Sequence, residues 1–219
     1  MDVLKTEDDQ IDQFKQWWSK NGKQLMAGIV VAAALATGIR LWTNYQEGRR
    51  MAAAVLYDQA LQALEKKDNT TVMQQATAVI EQYSGTTYAA LSGLIAARLE
   101  WEKGEKDAAR ARLQWVIDHS NNVELRHVAR LRLARFWMAD NKLDEAMKLV
   151  DQKDAGAFAA AYQFIKGDIL LQQGKTLEAQ TAFYAVIADK TAVGELHNQA
   201  QQRLDDLGAP PPPKLEAKS

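Results

Sequence analysis

The sequence predicts an all-α protein, in which a single N-terminal transmembrane helix is followed by a solenoid of helical repeats. The four prolines stand together at 210–213, so the preceding 209 residues contain no proline to interrupt a helix. The run "LMAGIVVAAALATGIRLW" at 25–42 is apolar apart from Thr37 and Arg40. From Arg49 onward, apolar residues recur every three or four positions, which is the period of amphipathic helices.

The amino-acid composition excludes several classes of function. The 219 residues include 27 Lys and Arg against 28 Asp and Glu, so the chain lacks the basic excess typical of nucleic-acid binding, and we predict none. Without cysteine, the chain has no disulfides, thiolate metal sites, thiol nucleophiles or lipidated cysteine. This composition is compatible with an oxidising compartment but does not require one.

Residues 25–42 are predicted to cross a membrane. Eighteen helical residues rise about 27 Å, close to the thickness of about 30 Å of a bilayer core. Lys20 and Lys23 precede the run, and Trp42 and Tyr45 follow it, as expected at the two interfaces. Arg40 lies within a turn of the far end, so its guanidinium can reach the headgroups.

Two alternatives compete with a membrane span. Ala34-Leu35-Ala36 resembles the cleavage site of a signal peptide, but five acidic residues precede the run and the run continues beyond that site. A buried core helix is disfavoured because no other segment is an apolar partner of similar width. Flanking charges do not decide the orientation, whereas a short tail and a large C-terminal body favour export of the body.

The N-terminal segment, residues 1–24, is predicted to contain a short amphipathic helix at the membrane surface. Within "DDQIDQFKQWWSKNG", Ile11, Phe14, Trp17 and Trp18 recur at helical spacing. Asn21-Gly22 favours a break before the span. The alternative is a simple extension of the membrane helix.

Small residues share one face of the predicted span. Gly28, Ala32 and Ala36 are four positions apart, a spacing that lets a second membrane helix approach closely. The alternative is that an alanine-rich span shows this spacing by chance.

The body, residues 43–208, is predicted to consist of antiparallel helix pairs. In three pairs a Gly or Asn marks the turn, with a small residue seven positions before it and an alanine five positions after it. These sets are Ala97, Gly104 and Ala109; Ala134, Asn141 and Ala146; and Gly167, Gly174 and Ala179. Such positions suit the point where two helices cross most closely. The pair at 51–83 fits this scheme only with an insertion. The helix "GELHNQAQQRLDDL" is predicted to cap the solenoid, and 209–219 is predicted to be a disordered Pro-rich tail.

This spacing resembles the tetratricopeptide repeat. The turns are 37 and 33 residues apart, close to the usual 34. Lys166 at a normally apolar position and the absence of helix-ending prolines depart from the motif. The resemblance implies that the first helix of each pair lines a groove for a partner or client, with an apolar surface and a cationic fringe. The implied groove residues are Leu94, Arg98, Trp101, Leu131, Arg135, Met138, Phe164 and Leu171, with Asp168 beside them. The alternative is that they pack against the next repeat.

The order of segments resembles one family more closely. An acidic start "DDQIDQFKQWWSKNGKQL", a span leaving through "GIRLWTNYQ", and repeats opening with "YAALSGLIAARL" are similar to the YfgM family, the ancillary subunit of the bacterial Sec translocon. The resemblance implies a single-pass inner-membrane protein with a cytoplasmic N-terminus and a periplasmic repeat domain. It implies association with SecYEG and with a PpiD-type membrane-anchored chaperone, and a role in passing exported unfolded proteins to periplasmic chaperones.

No catalytic site is predicted. His119, His127 and His197 are far apart and lack metal-ligand spacing, and the sequence has no glycine-rich phosphate loop. We therefore predict neither cofactor nor metal. Two non-catalytic hypotheses remain: a scaffold at the export channel, and a regulatory protein whose repeats sequester a signalling partner.

Overall fold

The computed structural model describes residues 3–152, 154–190, 192 and 194–210, with side chains from residue 11 onward. These residues form α-helices and one 3₁₀ turn, without a strand among them, which confirms the predicted all-α class. The helices are α1 (Val3–Glu65), α2 (Asn69–Gln82), α3 (Thr87–Glu102), α4 (Lys106–His119), α5 (Val123–Ala139), α6 (Leu143–Val150), α7 (Ala159–Gln172), α8 (Thr176–Ala188) and α9 (Glu195–Asp206). The chain divides into two compact units, Met1–Met51 and Ala52–Ser219.

In the first unit, the predicted break at Asn21-Gly22 is wrong. Helix α1 continues through both residues, as the alternative of a simple extension required. A glycine inside a helix costs only about 1 kcal/mol relative to alanine. Here the Trp18 indole, one turn earlier, lies 3.3 Å from where a Cβ of Gly22 would stand, and Gly22 is buried beneath it. The large aromatic side chain covers the backbone that glycine would otherwise expose.

In the second unit, each helix pair turns through a residue in the left-handed conformation. The φ angles are 84° at Gly104, 56° at Asn141 and 75° at Gly174, which confirms the three predicted turn residues. After each of them the next N–H donates to the carbonyl five residues earlier. These bonds join Glu105 to Glu100 at 2.8 Å, Lys142 to Trp137 at 2.9 Å and Lys175 to Leu170 at 2.9 Å. This closure satisfies carbonyls at the helix end and reverses the chain within three residues.

The first pair is a regular repeat, and the insertion that we expected there is wrong. Lys67 has φ 57°, and the N–H of Asp68 donates to the Ala63 carbonyl at 2.9 Å, as in the other three turns. Ala60, seven positions before Lys67, and Val72, five positions after it, are both fully buried. The sequence places a turn at 67–69 but does not identify its left-handed residue, because a lysine, rather than glycine or asparagine, occupies that position.

The small residues at the helix crossings are buried as predicted. Five of them are alanines with at most 1% of their surface exposed; these are Ala97, Ala109, Ala134, Ala146 and Ala179. The sixth, Gly167, is also buried, and a Cβ added there would lie 2.6 Å from Cε1 of Phe183. Gly93 has the same relation to Cγ2 of Val116, at 2.6 Å, and was not predicted. Paired helices thus approach closely enough to exclude even a methyl group at two points.

The C-terminal helix α9 confirms the predicted cap. Ala200 and Leu204 are buried on its inner side. Beyond it, the Tyr184 hydroxyl donates a hydrogen bond to the Pro210 carbonyl. The rest of the predicted tail, 211–219, lies outside the described residues.

Gly167→Ala should lower the free energy of unfolding by about 1–3 kcal/mol, because the new methyl overlaps the buried Phe183 ring. Urea unfolding of the full chain in detergent, followed by circular dichroism, measures the change. Gly85→Ala is the matched control, since nothing lies within 4 Å of its added Cβ. Equal effects of the two substitutions would show that the close approach at Gly167 does not constrain the pair.

Lys67→Gly should raise the free energy of unfolding by about 1 kcal/mol, because glycine adopts positive φ without the clash of a Cβ. Lys66→Gly, one position earlier, relieves no positive φ and should not stabilise the protein. The same urea titration compares both variants with the parent chain. A destabilising Lys67→Gly would contradict the equivalence of this turn with those at Gly104 and Gly174.

Candidate interaction surfaces

The first helices of successive pairs form the inner side of the repeat unit. Helix α3 contacts α5, α5 contacts α7, and α7 contacts α9, in addition to the contacts of each helix with its neighbours along the chain. We call the surface that α3, α5, α7 and α9 present away from their partner helices the inner face. The predicted groove residues lie on these helices, and their burial decides which of them a partner can reach.

Three predicted groove residues are core residues. Leu94, Leu131 and Phe164 each expose only 6% of their surface. Leu94 packs in a cluster with α4 and α5, whereas Leu131 and Phe164 join the larger cluster around α7 and α8. The prediction that they line an open groove is therefore corrected. A residue three positions before a crossing residue is rotated only about 60° from it, so its side chain points toward the neighbouring helices.

The half-buried groove residues contribute partly to the core. The Trp101 ring stacks on Phe136 of the next pair, with centroids 3.9 Å apart and planes 13° apart. Met138 and Leu171 are half-buried and pack at the edge of the large cluster. Trp101 is thus a contact between repeats as well as a surface residue.

Arg98 and Arg135 are exposed on the inner face. The Nε of Arg98 forms an ion pair with Glu102 at 2.7 Å. Desolvation lowers the pKa of Arg135. The Asp168 carboxylate raises this pKa, and the positive charge of Arg132 lowers it further. Asp168 itself is paired with Arg203 at 3.0 Å.

Arg132 was not predicted, although it is central to this surface. It lies two positions before Ala134, and a helical rotation of about 160° turns it away from the partner helix. Its side chain is exposed, and its Nη1 donates to the Leu94 carbonyl at 3.4 Å. With its neighbours it borders a recess of about 120 Å³. The lining residues are Leu64, Leu94, Ile95, Arg98, Leu99 and Arg132. Counting from the crossing residue would have identified Arg132.

A second cationic group ties two pairs together. The Asp140 carboxylate accepts hydrogen bonds from Lys106, at 2.5 Å, and from Arg110. The Arg110 guanidinium lies 4.3 Å from the centroid of the Trp137 ring, over its face. The hydrogen bond from Lys106 is the main reason that the pKa of Asp140 is lowered. These charges have partners within the protein, so the group stabilises the stacking of pairs.

His127 is a packing residue, in agreement with its sequence interpretation. It is buried; its Nδ1 is hydrogen-bonded to the Tyr162 hydroxyl at 2.8 Å, and its ring stacks on Phe158 with centroids 4.9 Å apart. Desolvation lowers its pKa, and Arg130 and Arg126 add to this. Among the described residues, no group of three or more His, Asp or Glu side chains is placed to hold a metal ion.

The first unit offers a different surface. Helix α1 contains a stretch long and apolar enough to cross a membrane, and none of that stretch is buried within the protein. Gly28, Ala32 and Ala36 are exposed, and nothing lies within 4 Å of a Cβ added at Gly28. Toward the ends of this region stand exposed aromatic pairs, Phe14 with Trp17 and Trp42 with Tyr45.

The sequence model of the tetratricopeptide repeat-like domain family matches residues 15–209. The chain belongs to this family. Three curated relatives are each named "Ancillary SecYEG translocon subunit". The protein of Escherichia coli K12 is 28% identical over 94% of this chain and 99% of its own length. That of Haemophilus influenzae is 28% identical over 81% and 86%, and that of Neisseria gonorrhoeae is 28% identical over 92% and 97%.

These relatives confirm the resemblance that the N-terminal segment indicated. The matched region includes the apolar stretch of α1 as well as the repeats, since the family model begins at residue 15. The tetratricopeptide repeat-like family assignment also agrees with the four equivalent turns and the buried crossing residues.

The stability of this tetratricopeptide repeat-like protein should depend on pH through His127. Because its pKa is lowered in the folded chain, the unfolded chain takes up this proton first as pH falls through about 6.5. The contribution of neutral His127 to the free energy of unfolding is therefore complete above that pH and is lost below it.

Urea unfolding between pH 7.5 and 5 should show a smaller loss of stability for His127→Gln than for the parent chain. His197→Gln removes a less buried histidine, on α9, and is the matched control. An unchanged pH dependence in His127→Gln would show that burial of this ring is not coupled to protonation.

Proposed function

We propose that the protein is a non-catalytic scaffold anchored in the bacterial inner membrane beside the Sec translocon. Residues 25–42 cross the bilayer, residues 1–24 lie in the cytoplasm, and the repeats of 43–208 lie in the periplasm. The observation that supports a membrane anchor is the apolar stretch of α1, none of which is buried against the rest of the protein. Burial of this surface in lipid avoids the cost of leaving it in water.

The proposed association with the translocon rests on the similarity to the relatives. They are similar along nearly the whole chain, and their names describe subunits of SecYEG. The face formed by Gly28, Ala32 and Ala36 is the proposed contact with another membrane helix, because small residues let backbones approach closely. A PpiD-type chaperone is the proposed second partner, and exported unfolded proteins are the proposed clients.

The inner face supports the proposed role in passing newly exported chains to chaperones. Arg98 and Arg135 are exposed there, and the half-buried Met138 and Leu171 add apolar surface. A recessed face with both kinds of side chain suits an extended or helical segment of another protein. We propose that this face holds a chaperone or a newly exported chain while the anchor holds the protein at the channel.

Co-purification tests the proposal. The tagged chain, extracted from its bacterial membrane in mild detergent, should recover SecY and PpiD on immunoblots. Gly28→Leu with Ala32→Leu should reduce this recovery about tenfold and leave membrane insertion intact. Val30→Leu with Ala34→Leu, on the opposite side of the helix, is the matched control and should recover both partners fully. If the parent chain recovered neither SecY nor PpiD, the proposal of a scaffold at the translocon would be contradicted.

Protease added to spheroplasts tests the orientation separately. A periplasmic repeat unit should be digested without lysis of the inner membrane, whereas a cytoplasmic one should be spared. Protection would reject export of the repeats and favour the regulatory alternative, in which the repeats sequester a signalling partner.

A further inference from the structure

The inner face carries a row of three arginines, of which one, Arg98, is paired with Glu102 at 2.7 Å. Arg98 on α3 and Arg132 and Arg135 on α5 all have exposed side chains. Within the described residues, neither Arg132 nor Arg135 forms an ion pair with a carboxylate. Arg132 reaches only a neutral carbonyl, at 3.4 Å. Asp168, whose carboxylate acts on Arg135, is itself paired with Arg203 at 3.0 Å.

The positive charges in this row also repel one another. Arg98 contributes, after desolvation, to the lowered pKa of Arg132, and Arg132 contributes to that of Arg135. A guanidinium that is desolvated and beside another cation gains more from a bound anion than one in open water does. By contrast, Arg110 elsewhere in the protein is compensated by the Asp140 and Asp107 carboxylates.

Apolar surface adjoins the arginines. The recess of about 120 Å³ has Leu64, Ile95 and Leu99 beside Arg98 and Arg132. A free inorganic anion would leave this apolar lining uncovered. A peptide with acidic and apolar side chains close together would satisfy both, since guanidinium forks bind carboxylates in two parallel hydrogen bonds.

We propose that Arg132 and Arg135, with Arg98 beside them, bind the carboxylates of an extended acidic segment in a partner protein, whose apolar side chain enters the recess lined by Leu64 and Ile95. This inference rests on the proposed function, since it specifies the chemistry of the segment that the inner face holds. Charge complementarity selects an acidic segment over a basic one, and the size of the recess admits a single aliphatic side chain.

Fluorescence anisotropy with the full chain in a non-ionic detergent tests the inference. The probe is a fluorescein-labelled peptide of twelve residues with four glutamates and two leucines. The same peptide with glutamine in place of glutamate is its control. The acidic peptide should bind, the glutamine peptide should bind at least about tenfold more weakly, and added salt should reduce the difference.

The protein variant is Arg132→Gln with Arg135→Gln. It should weaken binding of the acidic peptide at least about tenfold, because two charge-assisted contacts are lost. Lys148→Gln with Lys175→Gln removes the same charge from exposed positions off the row and should leave binding within about twofold. Since all four side chains are exposed, matching circular dichroism spectra should show that both variants fold.

The inference would be overturned by equal affinity of the parent chain for the two peptides, or by equal loss of affinity in the arginine and lysine variants. Release of the acidic peptide by millimolar inorganic phosphate alone would also overturn it, because a general anion site would then explain the binding. The arginine variant should still recover SecY from membranes. Loss of peptide binding with retained SecY supports the inference, whereas absence of SecY from the parent chain refutes the proposed function instead.

Discussion

The close approach of the two helices in each pair is the constraint on which the repeat unit depends. At Gly167 the partner ring of Phe183 occupies the space of a missing Cβ, and Ala97 and Ala109 are buried where their helices cross. The connection between the two helices is equally tight. It is a left-handed residue with the hydrogen bond to the carbonyl five positions earlier, repeated from Lys67 to Gly174.

This constraint also decides what the inner face can offer. Taking the crossing residue as reference, a residue three positions earlier is rotated about 60° and is buried, as Leu94 and Leu131 are. A residue one position later is rotated about 100° and is exposed, as Arg98 is. A residue two positions earlier is rotated about 160° and points directly away, as Arg132 does. The surface available to a partner is therefore set by helical rotation from the crossing.

The sequence predicted those features that depend on local chemistry. The turns at Gly104, Asn141 and Gly174 could be predicted because glycine and asparagine tolerate positive φ. The crossings could be predicted from the small residues at fixed distances on either side of these turns. The turn at 67–69 was also predicted, but Lys67 could not be identified as its left-handed residue, since lysine gives no signal for positive φ. The continuity of α1 at Gly22 depends on cover by the Trp18 ring, and the burial of Phe164 depends on α8, which no local pattern describes.

Two arginines show how the same residue type serves the fold in one place and is unused by it in another. Arg110 lies over Trp137 and pairs with Asp140, so its charge holds neighbouring pairs together. Arg132 is desolvated beside Arg98 and bonds only to a backbone carbonyl. The contacts within the fold therefore account for Arg110, whereas the exposed Arg132 is available to the acidic segment proposed above.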